Sequence, residues 1–149
     1  MKLAEALQER ADLNKRIAQL NQRLNNNALV QEGEKPAEDP KELLKELAQD
    51  LKRLEELIGK INLTNSKTVR DGKTLTEMIA RRDVLIQEIN IKRSFVENSS
   101  QSFYRARNSE IKILPTTKVK DIQKDVDDLS KELRLLDNKI QELNWTIEL

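Results

Sequence analysis

Residues 119–147, VKDIQKDVDDLSKELRLLDNKIQELNWTI, place Val119, Ile122, Val126, Leu129, Leu133, Leu136, Ile140, Leu143 and Ile147 at alternating steps of three and four. A period of about 3.5 residues belongs to a helix laid lengthwise on another helix, with these side chains in the seam. Helix packing therefore decides the fold, and packing by itself names no chemistry.

Working outward, the same pattern recurs three times. A first helix is expected over 2–25, with Leu3, Ala6, Leu13, Ile17, Leu20 and Leu24 in one seam and Arg10 out of step. It ends in Asn25-Asn26-Asn27, residues suited to helix ends. A second is expected over 40–64: Asp39 can cap it, Pro40 fits its first position, and Leu44, Leu47, Leu51, Leu54, Ile58 and Ile61 form the seam. Leu43 and Leu57 broaden that face. The third spans 75–98, opened by a Thr74/Glu77 capping box. Its stripe is Leu75, Ile79, Ile86, Ile89 and Val96, with Met78, Leu85 and Phe95 beside it and Arg82 and Arg93 interrupting it. The C-terminal helix spans 117–147.

The connections are 26–39, 65–74 and 99–116. Ala28–Gln31 and Ser109–Leu114 read as short extended runs, which would pair as a ribbon between the first and third connections. Asp71-Gly72 marks a turn between two short polar–apolar stretches. The expected architecture is all-α: one domain, 1–149, of four long helices in an elongated antiparallel bundle or coiled coil, with a small β-ribbon arm in the connections.

Composition narrows the chemistry. Charged residues make up 36% of the chain and aromatics 3%, which favours long solvated helices over a thick core. There is no cysteine, so disulfides and thiolate catalysis are excluded. There is no histidine, the commonest general base and transition-metal ligand. No cofactor is implied. Met1–Arg10 lacks the apolar core of a signal peptide, and no run reaches the ~20 apolar residues of a membrane span. The expectation is a cytoplasmic protein with no membrane partner.

So thin a core also points to self-association, as a dimer or a higher oligomer such as a hexamer. Trp145 and Leu135 lie off the C-terminal seam and, with the seam residues Ile140 and Leu143, are the candidate subunit contacts. A parallel self-pair would set Glu132 against Asp137, so an antiparallel partner, or another helix of the same chain, is preferred.

Charge is segregated. Residues 92–120 hold seven bases and two acids, net +5, while 121–149 hold eight acids and four bases, net −4. Arg105 and Arg107 follow Phe103 and Tyr104, a mixture able to stack on bases and grip phosphates. Nucleic-acid binding through the basic segment is the first alternative function. Arg81, Arg82 and Asp83 are the candidates for an anion site or a carboxylate–arginine enzyme. Glu32, Glu34 and Asp39 are the candidates for a divalent cation, although their spacing matches no calcium loop.

Several segments resemble the septicolysin-like family of small bacterial proteins. They are Met1-Lys2-Leu3-Ala4-Glu5-Ala6-Leu7, Val30-Gln31-Glu32-Gly33-Glu34, Glu38-Asp39-Pro40, Asp71-Gly72-Lys73-Thr74-Leu75-Thr76, Ala80-Arg81-Arg82-Asp83-Val84-Leu85, Ser109-Glu110-Ile111-Lys112 and Asn144-Trp145. The resemblance implies long helices and self-association, and it carries over no catalytic residue. The leading expectation is thus a homo-oligomeric helical assembly protein without a catalytic centre.

Overall fold

The computed structural model describes residues 1–100 and 111–149 of the chain. Among the described residues it is all-α, with one two-stranded antiparallel ribbon. The helices are α1 (Leu3–Asn26), α2 (Pro40–Lys67), α3 (Leu75–Ser100) and α4 (Val119–Thr146). The chain divides into two compact units, one of Met1–Arg70 with Leu143–Leu149, the other of Asp71–Glu142.

In the first unit α1 and α2 pack together in antiparallel fashion. Arg53 meets Glu9, Arg16 meets Asp50 and Arg23 meets Glu38, in steps that run opposite ways along the two helices. Local chemistry sets the helix ends. Asp39 Oδ1 accepts from the Lys41 N–H at 3.0 Å, and Pro40 takes the position whose N–H no helix bond would use. At the end of α1 the Asn27 side chain donates to Arg23 O at 2.8 Å and accepts from the Glu38 N–H at 3.0 Å, closing the loop between the helices. The C-terminal residues lie along the start of α1: the Leu3 N–H donates to Ile147 O and the Leu149 N–H to Met1 O, both at 2.9 Å.

The buried face of α1 is the expected one, Leu3, Ala6, Leu13 and Leu20. That of α2 is not. The expected seam was 44/47/51/54/58/61. The structure instead buries Leu43, Asp50, Leu57 and Ile61 and half-buries Leu47 and Leu54, leaving Leu44, Leu51 and Ile58 outside. Both registers repeat every seven residues. An aspartate interrupts the true one, and the pattern of leucines alone favoured the other.

In the second unit α3 and the part of α4 up to Glu142 run antiparallel. Arg81 binds Glu132, Lys92 binds Asp125 and Lys139 binds Asp71. The core of α3 is Leu75, Met78, Leu85 and Ile89, so Met78 and Leu85 are central and Ile86 is exposed, a correction of one step to the expected stripe. The eight seam positions within α4, and Ile147 just beyond its end, are all buried or half-buried, as the opening stretch of sequence requires.

The ribbon is Val69–Arg70 paired with Lys73–Thr74. It forms around Asp71-Gly72, not between the first and third connections: residues 28–31 and 111–114 carry no strand. Asp71 and Gly72 both have positive φ, 54° and 78°, the requirement of a tight two-residue hairpin turn that Asp-Gly meets most easily. The turn delivers Thr74 to its capping box: the Thr74 N–H donates to Glu77 Oε2 at 2.7 Å and the Glu77 N–H to Thr74 Oγ1 at 3.1 Å.

Candidate functional site

Asp50 occupies a core position of α2 and is 96% buried as a residue, with relative exposure of 4%. A buried carboxylate costs free energy unless paired and hydrogen-bonded. Its Oδ1 accepts from Arg16 of α1, but among the described residues its Oδ2 has no hydrogen-bond partner. The Arg16 side chain is 54% exposed, so the guanidinium lies over the carboxylate from the solvent side.

Asp50 lines an open cavity of about 610 Å³ within the first unit, together with Glu9, Asp12, Arg16, Arg53 and Trp145. One turn along α2, Arg53 holds Glu9 through two parallel bonds, Nε to Oε1 at 2.6 Å and Nη2 to Oε2 at 2.9 Å. That fork geometry matches carboxylate and guanidinium. It holds the Glu9 carboxyl below the usual carboxylate range, against a smaller opposing effect of burial. Trp145, at the end of α4, is 63% exposed as a residue. The site therefore offers buried and partly buried carboxylates, an aromatic face and a half-exposed guanidinium.

The residues singled out in the sequence are scattered. Arg81 forks onto Glu132, with Nε at 3.1 Å and Nη2 at 3.0 Å from Oε1, and so links α3 to α4. Arg82 binds its neighbour Asp83 at 3.0–3.1 Å. The three residues thus make two separate ion pairs. Asp39 is engaged in capping α2, and Glu32 and Glu34 are exposed in the connection. Among the described residues no three acids converge into a group able to hold a metal. Of the basic segment, Lys92 is engaged by Glu88 and Asp125. Arg105 and Arg107 lie outside the described residues. Ile140 and Leu143 are each 1% exposed, so the chain's own core consumes them and they have no surface to give a second copy, a correction to that expectation. Trp145 and Leu135 are exposed.

Sequence reasoning passed over Asp50, Arg16, Glu9 and Arg53. The signal was present: in the register 43/47/50/54/57/61 every other member is apolar, so the aspartate stands out once that register is chosen.

These features define an all-α protein of paired helices with a hairpin between α2 and α3. The chain belongs to the family of unknown function DUF6847, whose profile matches residues 10–149. It is similar to a solved structure described as the crystal structure of a functionally unknown conserved protein from Corynebacterium diphtheriae, with 40% identity, a TM-score of 0.93, and coverage of 100% of this chain and 98% of that one. None of the curated proteins matches. Among the described residues no helix is long and apolar enough to cross a membrane.

Proposed function

We propose that the chain is a non-catalytic helical assembly protein that associates with copies of itself in the cytoplasm, as a dimer or a higher oligomer. The observation that carries this is the outer face of α2. Leu44, Leu51 and Ile58 lie seven residues apart and are 53%, 47% and 40% exposed. Single exposed leucines are ordinary on a protein surface. Three in line at heptad spacing make a stripe of the kind that packs on another helix.

The pattern of α3 supports the same reading. Leu85 and Ile89 are buried on one side of the helix while Val84, Ile91 and Phe95 are exposed on the other. A helix apolar on both sides suits a position covered on both sides. The missing histidine and cysteine agree with a role without catalysis. The resemblance to the septicolysin-like family belongs to this reading as well.

Sedimentation velocity across the micromolar range tests it. The expected result is a species of at least twice the chain mass. A helical, cooperatively unfolding particle of single-chain mass at every concentration would overturn it.

A further inference from the structure

The cavity beside Asp50 has no part in that assembly face, and its chemistry points to a ligand. Its lining acids are Glu5, Glu9, Asp12 and Asp50 and its bases are Arg16 and Arg53, a net of −2. Arg53 is committed to Glu9 through both arms of its fork. Asp50 is more than nine-tenths buried and has an oxygen without a donor, a state that native interiors rarely leave standing. Among the described residues the group that meets it is Arg16, which reaches it from water with half its side chain still exposed. Trp145 adds a π face, which attracts cations. A volume of about 610 Å³ is of the size that holds a small molecule.

We propose that this cavity binds a small organic cation with a guanidinium or primary ammonium head. The head takes the place of the Arg16 guanidinium on Asp50 and donates to both carboxylate oxygens, while the body of the ligand lies against Trp145. Arg16 then acts as a resident plug: it occupies the carboxylate in the empty protein and swings into solvent when a ligand arrives. An anion is disfavoured, because it would have to strip both arginines from their carboxylates and face the remaining acids.

The test is a titration of the full chain with agmatine, which carries both head groups, with succinate as the anionic control. Trp145 is the chain's only tryptophan, so its fluorescence reports directly on the cavity, and calorimetry gives an independent reading. The expected result is saturable binding of agmatine that weakens with salt, falls by at least about tenfold in Asp50→Asn, and falls about threefold by calorimetry in Trp145→Leu. Circular dichroism confirms that each variant is folded. Asp12→Asn, on the exposed rim, gives a second reading that leaves the Asp50–Arg16 pair in place, with a weakening of severalfold. Arg16→Ala, which removes the plug, tightens binding. The proposal is overturned by no saturable signal up to about 10 mM agmatine, by equal affinity in wild type and Asp50→Asn, or by succinate binding in preference.

Discussion

Arg16 of α1 meets Asp50 of α2 at one carboxylate oxygen and leaves the other buried, without a donor among the described residues. The two partners are unequal, since the arginine is half in water and the aspartate is not. Arg16→Ala is therefore expected to cost about 3 kcal/mol, because it strands the buried carboxylate. Asp50→Leu is expected to raise stability by about 1 kcal/mol, because it completes an apolar face and releases an arginine that water can solvate. Urea melts of the two variants check the opposite signs.

Acid should lower the stability of the fold modestly through a small set of glutamates. Hydrogen bonds from Arg53 hold Glu9 below the usual carboxylate range, and those from Arg23 do the same for Glu38. The Thr74 backbone N–H and then its hydroxyl lower Glu77, and Lys2 and the N-terminal ammonium lower Glu148. A carboxyl depressed in the folded state adds stability that is whole above its unfolded pKa, about 4.3 for glutamate, and is lost as pH falls through the folded value. The melting temperature is expected to stay level from about pH 7 to about pH 5 and to drop below about pH 4. The hydrogen bonds that Lys92 donates to Asp125 and Glu88 raise its pKa above the usual lysine value. Its contribution has the opposite sense: present below the ordinary lysine pKa of about 10.4 and lost as pH rises through the folded value.

Leu51 stands at the middle of the exposed α2 stripe, at 47% exposure. Leu51→Lys places a charge where a second helix would pack, yet removes nothing from the core. The expected outcome is a shift to the single-chain species in sedimentation, with helix content and melting cooperativity kept. Leu57→Lys, at a fully buried neighbour, should instead unfold the chain.

Two helix starts depend on single side chains. Asp39→Ala removes the acceptor for the Lys41 N–H, and Thr74→Ala removes the acceptor for the Glu77 N–H. Each is expected to cost about 1 kcal/mol. Amide exchange should rise in the first turn of α2 for the one and of α3 for the other, which separates local fraying from global loss.

The hairpin turn depends on its glycine. Gly72 has φ of 78°, and a Cβ there meets no neighbouring atom, so the obstacle to substitution is backbone strain alone. Gly72→Ala is expected to cost about 1 kcal/mol, measured by thermal unfolding.

The helical class, the caps at Asp39 and Thr74, the Asp-Gly turn and the inward face of α4 were all legible in the chain. Each rests on neighbours within a turn or two, or on nine apolar residues in one unbroken register. The faces of α2 and α3 were not. Leucines or isoleucines sit on both sides of each helix, so two registers compete, and the choice between them falls to the partner helix. Arg16, reaching across from α1, gives the aspartate at position 50 a partner on the buried face, while Leu44, Leu51 and Ile58 face outward. The cavity could not be read in advance for the same reason, since Glu9, Asp50 and Trp145 are far apart along the chain and only folding brings them together.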